Sequence, residues 1–301
     1  MISINVTNTT VYAVCGKYAG GRVAVQAMAE KPLFGYVKSD GTSDVKGFAD
    51  DLRQVLAGFR ENTVTIQFSE STVVSSQYEF PYEKKPVAML NIVRSGITQN
   101  TQDHIMDYAV LDIYKKDGGE FSTVQVYLTP RTLVEFAGEA IRMAGKKPYR
   151  FQVAENCLYN LQNTGDGFGA SNVIVASIGS ARVSVTLLTT LEKVLTRTAP
   201  VLREAEAYNQ AAQGLYDPSA AMQAATEQIS KMIQYQSIKE PGHPVDQIYL
   251  FGKYVSPQDV RDMGDSLGAP VSLLRQPDYV TAPEGFPFEK YVHAVGALIE
   301  K

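Results

Sequence analysis

Two short turns carry the residues best suited to chemistry. Thr7, Asn8 and Thr9 join the apolar stretch of residues 2–5 to that of residues 9–14. Gly179 and Ser180 join a stretch ending at Ile178 to one beginning near Arg182. Each unit reads as a strand, a tight turn of small polar residues and a second alternating strand. Gly252 makes a third turn behind the apolar run of residues 247–251. Turn amides, with threonine and serine hydroxyls beside them, are donors for phosphate oxygens. Thr7, Asn8, Thr9, Gly179, Ser180 and Gly252 therefore form the candidate phosphate-binding set. Neither hairpin carries an acidic residue where a cation would need one.

Little else reads as reactive. The histidines His104, His243 and His293 are far apart, and none pairs with another histidine or a cysteine at metal-ligand spacing. Cys15 and Cys157 sit in apolar surroundings and read as buried free thiols of a reducing compartment. There is no phosphate-loop lysine motif, no G-x-S-x-G elbow and no CxxC. No catalytic residue and no metal ligand is assigned. The lysine pairs Lys84-Lys85, Lys115-Lys116 and Lys146-Lys147 read as solvated surface. The glycine-rich residues 163–171 precede a strand instead of following one, so they read as an inter-domain linker.

The elements that must position the turns follow from periodicity. Val45, Phe48, Leu52, Val55, Leu56 and Phe59 recur at three and four residues, a helix, and residues 64–68 form a buried strand. From residue 72 to 154 the order is β-α-β-β-α-β: strands at 73–80, 107–114, 122–128 and 150–153, with helices from Pro86 and from Thr129-Pro130 to Gly145. This is an insert of about 80 residues, large enough to be a subdomain. Residues 203–213 read as helical. Asp217-Pro218 opens a longer helix with Met222, Ala225, Ile229, Met232 and Ile233 on one face. Ser256 and Asp259 suggest a capped helix that Gly268 stops. A strand at 271–274 and a helix at 287–299 close the chain.

The 301 residues suffice for two domains. Hydrophobic content of 45%, charged content of 20% and a net charge of -4 fit a soluble globular protein and exclude a nucleic-acid binder driven by bulk positive charge. With no basic-then-apolar leader and no run of about 20 apolar residues, the expectation is a cytoplasmic protein without direct membrane insertion.

The order hairpin, helix, insert, hairpin, long helix, strand-glycine-capped helix, final helix resembles the actin and hexokinase superfold. More closely, the chain resembles the PilM family, actin-like cytoplasmic proteins of type IV pilus assembly. Asp40-Gly41 and the helix after it, Asp107-Tyr108-Ala109-Val110-Leu111 in the insert, Ala144-Gly145, the hairpin within residues 172–187, the helix segment 228–235 and His293-Ala294-Val295-Gly296-Ala297-Leu298 carry the likeness. The departures fall on the nucleotide motifs. Asn5, Thr7 and Tyr12 stand where the family has aspartate, glycine and lysine. Ser177 replaces the second hairpin's aspartate, with Gly179 kept, and Gly252-Lys253 replaces paired glycines.

The resemblance implies an α/β, actin-like (ribonuclease H-like duplicated) fold with an inserted subdomain of the PilM and FtsA type. Residues 1–71 and 155–170 would form the first half, 72–154 the insert and 171–301 the second half. It implies a cytoplasmic scaffold of a type IV pilus or type II secretion-like machine, at the inner face of the membrane. There it would hold the N-terminal tail of a membrane-anchored PilN-like partner in a groove between the first subdomain and the insert, beside other pilus assembly proteins. No cofactor is expected. The six turn residues become a degenerate nucleotide site, with weak Mg-ATP binding without turnover left open. Two alternatives are an ATPase or small-molecule kinase of the same superfold and an FtsA-like filament former. FtsA carries an amphipathic membrane helix at its C-terminus. Here Ile299-Glu300-Lys301 closes the sequence, which weighs against that alternative.

Overall fold

A computed structural model describes residues 1–7, 9–33, 44–68, 73–97, 102–189, 194–203, 206–207, 209–210 and 213–300. Asn8, the turn with Asp40-Gly41 and part of the helix read at 203–213 lie outside the described residues. The chain forms two compact units, Met1–Glu70 with Ala140–Lys301, and Ser71–Glu139.

The first unit begins with β1 (Ile2–Val6), β2 (Thr10–Ala19), β3 (Arg22–Pro32), α1 (Val45–Val55) and β4 (Thr63–Phe68). The second unit holds β5 (Val74–Pro81), α2 (Pro86–Gly96), β6 (His104–Lys116), β7 (Gly119–Pro130) and the start of α3 (Arg131–Met143). The chain then returns through β8 (Lys147–Phe151) and α4 (Ala154–Gln162). It continues with β9 (Val173–Ile178), β10 (Arg182–Leu188), β11 (Val194–Pro200), α5 (Ser219–Lys239), β12 (Gln247–Phe251), α6 (Pro257–Leu267) and β13 (Val271–Leu273). It closes with β14 (Val280–Thr281) and α7 (Phe288–Gly296).

The first unit contains the same sheet twice. One sheet runs β14-β3-β2-β1-β4-β8 and the other β11-β10-β9-β12-β13. In each, three antiparallel strands are followed by two parallel ones, so β1 and β9, β2 and β10, and β4 and β12 occupy equivalent places. The central strands are covered on both faces. β1 is therefore buried along its whole length, the polar Ser3 and Asn5 as fully as the Ile2, Ile4 and Val6 that alternate with them. Between the sheets lie α4 and α7. Leu158 and Leu161 of α4 and Phe288, Tyr291 and Val295 of α7 join Val14, Val175 and Phe251 in one core. On the far face of the second sheet, α5 and α6 cover Ile174, Val185 and Leu250 with Ala225, Ile229, Met232 and Met263. The Ser256 hydroxyl and the Asp259 carboxylate make the reciprocal cap of α6, and Gly268 ends it with φ 60°.

Several boundaries differ from the sequence reading. The insert, read as 72–154, is compact only over Ser71–Glu139, because β8 pairs in parallel with β4 and Phe151 stacks on Phe68 at 6.0 Å. The second half, read as 171–301, gives up its last elements. β14 pairs with β3, Val280 opposite Val23, and α7 packs on β1, β2 and α4. Pro130 ends β7, and the helix read from Thr129-Pro130 starts at Arg131.

The second unit is a three-stranded antiparallel sheet, β5-β7-β6. Phe80, Val124, Val126 and Leu128 pack against Met89 and Val93 of α2. The edge strand β6 runs 13 residues, long enough to template pairing with another chain. Two carboxylates guard it. Asp107 accepts from the Tyr108 amide at 2.9 Å and Asp112 from the Ile113 amide at 2.8 Å, the second at a register shift. Replacing both with alanine is expected to bring concentration-dependent self-association in sedimentation velocity. Sedimentation identical to wild type would remove this role.

Candidate functional site

Five of the six sequence-selected residues line one cleft. Thr7 and Thr9 come from the β1–β2 turn, Gly179 and Ser180 from the β9–β10 turn, and Gly252 from the end of β12. Asn8 is outside the described residues. The two hairpin turns face one another because each caps the same edge of an equivalent sheet. Asn5 and Ser177, the positions read as lost aspartates, also line the cleft. Each is the penultimate residue of its first strand, opposite Tyr12 and Ser184 respectively.

The described donors of the first turn are spent on the turn itself. Thr7 N–H donates to the Thr10 carbonyl at 2.9 Å, and the Thr7 hydroxyl donates to that carbonyl at 3.0 Å. The same hydroxyl accepts from the amides of Thr9 at 3.4 Å and Thr10 at 3.0 Å. In the second turn the Gly179 N–H goes to the Arg182 carbonyl at 3.0 Å, and the Gly179 carbonyl accepts from the Tyr216 hydroxyl at 3.3 Å. Gly252 has φ 135°, and a Cβ built there would stand 2.4 Å from the Ile178 carbonyl oxygen. Its lack of a side chain lets β12 close against the second hairpin.

Side chains fill what the turns enclose. Tyr12 lies edge-on to Tyr291 at 5.4 Å, and Tyr254 packs on Tyr216 at 4.5 Å. The Lys253 ammonium sits 5.5 Å from the Tyr254 ring centroid, and Phe251 meets His293 at 5.2 Å. The cavity left is about 60 Å³. That is room for only a few waters, against roughly 300–1,000 Å³ for a ligand site.

Arg182, Lys253 and Lys290 line the cleft. Among the described lining residues the one carboxylate is Glu289, which is exposed. Lys290 pairs with Glu30 at 3.2 Å. Burial pushes the Tyr12 phenol up to about 12, with Glu30 adding to the rise and a hydrogen bond with Thr10 opposing it. Burial alone raises Tyr254 and takes the His293 imidazole down to about 4. At neutral pH the cleft is thus hydroxyls, amides, neutral imidazole and cations, with the exposed Glu289 as its one described carboxylate. Magnesium needs oxygen ligands, usually carboxylate or phosphate. The described residues do not fit Mg-ATP. Among the described residues no group of three or more His, Cys, Asp or Glu stands ready for a metal, and no helix is long and apolar enough to cross a membrane.

Sequence reading missed Arg182, Tyr254 and Lys290 as cleft residues, and Tyr216 as the support behind Gly179 and Tyr254. Lys253 was read as the replacement of a family glycine, and no local pattern marked Tyr254 beside it.

No family model matches the chain, and no curated protein matches it. Solved structures do. The chain superposes on a chain of the PilM-PilN type IV pilus biogenesis complex with a TM-score of 0.77 and 18% identity, covering 99% of this chain and 97% of that one. It also matches the cytoplasmic domain of EpsL, an inner membrane component of the type II secretion system of Vibrio cholerae. There the TM-score is 0.48 and the identity 10%, with 100% and 95% of the two chains covered. For ethanolamine utilization protein EutJ from Carboxydothermus hydrogenoformans the values are 0.48 and 11%, with 99% and 88% covered. The chain has the actin-like fold and is PilM-like in architecture.

Proposed function

We propose that this chain is an actin-fold scaffold of a type IV pilus or type II secretion-like assembly machine. It captures the cytoplasmic N-terminal tail of a membrane-anchored PilN-like partner and does not turn over ATP. The reading is supported by one observation above the others: a full-length likeness, at a TM-score of 0.77, to a chain from a PilM-PilN pilus complex. The cleft adds to it, since the Asn5 amide and the Ser177 hydroxyl stand where an ATPase of this fold carries aspartates.

The tail docks as an extended peptide whose main chain bonds to a strand and whose apolar side chains find pockets. The second unit offers two exposed apolar residues on its edge strands, Val74 on β5 at 41% exposure and Ile113 on β6 at 46%. Both tolerate a charge without loss of core. Val74→Asp or Ile113→Asp is expected to weaken capture of a synthetic PilN-like tail by roughly 30-fold, an interface hot-spot loss of about 2 kcal/mol. Tail binding untouched by either change would end the peptide reading. Calorimetry with Mg-ATP is expected to show no saturable binding below about 1 mM. Micromolar binding with phosphate release would replace the scaffold with an ATPase or kinase.

A further inference from the structure

Residues 165–169 of the glycine-rich stretch 163–171 line a second cavity, which shares no lining residue with the cleft. Its volume, about 790 Å³, falls inside the range of ligand sites. The loop is a pinned wall more than a linker. The Tyr249 hydroxyl donates to the Phe168 carbonyl at 2.5 Å, and the Tyr279 hydroxyl donates to the Leu161 carbonyl. The Gln162 side chain donates to the Ala170 carbonyl at 2.7 Å and accepts from the Phe168 amide at 3.1 Å. The cavity is therefore formed before anything enters it.

The opposite wall is β13 and the residues that continue it. β13 is the last strand of its sheet. It bonds β12 through alternate residues: Ile248 N–H donates to the Pro270 carbonyl at 3.0 Å, and Leu274 N–H donates to the Leu250 carbonyl at 2.8 Å. In a parallel pair the residues between the bonded ones face the other way. The N–H and carbonyl of Leu273 therefore point away from β12, and Leu273 lines the cavity. Phe168, Tyr249 and Tyr279 give an apolar floor. The rim carries both signs of charge, with Arg22 and Arg275 against Asp166 and Asp278, all exposed.

We propose that this cavity docks an extended segment of a partner protein, which adds to β13 as a further strand. An open backbone donor and acceptor call for another backbone, which a small anion or cation cannot supply. The segment seats one apolar side chain on the aromatic floor. An acidic residue on one flank meets Arg22 and Arg275, and a basic one on the other meets Asp166 and Asp278. This site lies in the first unit and is independent of the tail site proposed above.

The test pans random twelve-residue peptides on phage against the full chain, with Leu273→Pro as counter-target. Proline removes the outward N–H and leaves the β12 ladder intact, as on any edge strand. Enriched peptides are expected to carry an apolar residue flanked by opposite charges. Made synthetically, they should bind Leu273→Pro at least tenfold more weakly than wild type. Arg275→Glu should weaken them as well, and exchanging the peptide's acid for lysine should restore binding to that variant. If Leu273→Pro does not fold by circular dichroism, the exposed pair Arg22→Glu and Arg275→Glu decides alone. Three results would overturn the proposal: no enrichment, equal affinity for wild type and variants, or sedimentation showing that β13 pairs two copies of this chain.

Discussion

Gly252→Ala is expected to destabilise the protein by roughly 3–5 kcal/mol, the sum of strain at a left-handed position and of overpacking. With φ at 135° an alanine is strained whatever the space, and the Cβ would stand 2.4 Å from the Ile178 carbonyl oxygen. That oxygen belongs to backbone at the end of β9, so no side-chain rotation relieves the contact. Gly296→Ala should cost about 3 kcal/mol by another route. Its Cβ would lie 2.3 Å from the Cys157 carbonyl oxygen, where α7 crosses α4 between the two sheets. The helices must move apart in the centre of the largest core. Gly58→Ala is the control, with nothing within 4 Å of its Cβ and no positive φ. It should be neutral or slightly stabilising, because alanine restricts the unfolded chain. Urea denaturation of the three variants measures all of this. A loss below about 1 kcal/mol at Gly252 would mean that the β9 end gives way, and the cleft would then be a soft wall.

The two glycines also mark what could be read from the sequence. The hairpins, the β12–Gly252 turn and the capped α6 were legible because local chemistry dictates them: alternation in strands, a small residue at a turn, serine and aspartate three apart. The convergence of Thr7, Gly179 and Gly252 on one cleft followed once the repeat was seen, because equivalent strands in equivalent sheets place their turns alike. The filling of that cleft was not legible. Tyr12, Tyr254 and His293 come from three distant segments, and no local pattern says that their rings will meet the turns. Nor could the sequence reveal that the Thr7 hydroxyl and amide close the first turn on itself, since a threonine turn open to phosphate has the same residues. The boundaries failed for a related reason. β8 and β14 are short, with five and two residues, and only the partners β4 and β3 decide which sheet they join.

Acid should unfold this protein earlier than its carboxylates alone would require, and His293 is the reason. The residue sits on α7 at 4% exposure, against the ring of Phe251. Burial lowers its pKa from 6.5 to about 4, since charging the imidazole there means losing its hydration. Between those two values the unfolded chain carries a proton that the folded one does not. Stability therefore rises with pH across this window. The contribution is complete above about pH 6.5, falls as the pH drops toward 4, and is gone below it. A shift of this size corresponds to a loss on the order of 3 kcal/mol, at about 1.4 kcal/mol per unit. Glu61, Glu79 and Asp217 have pKa values lowered below the usual carboxylate range, chiefly by hydrogen bonds; Glu79 and Asp217 are exposed and Glu61 is partly so. Their effects fall at lower pH and are screened by solvent. In His293→Phe the aromatic contact survives without the titration. Urea midpoints measured from pH 8 to 4.5 should therefore fall steeply for wild type and stay nearly flat for the variant. Parallel curves would mean that the imidazole takes up its proton without leaving its site. The same loss reaches the cleft, because Phe251 leads directly into Gly252 and His293 lines the cleft together with Lys253. Acid-weakened packing there should show first as faster amide exchange at residues 251–255, ahead of global unfolding.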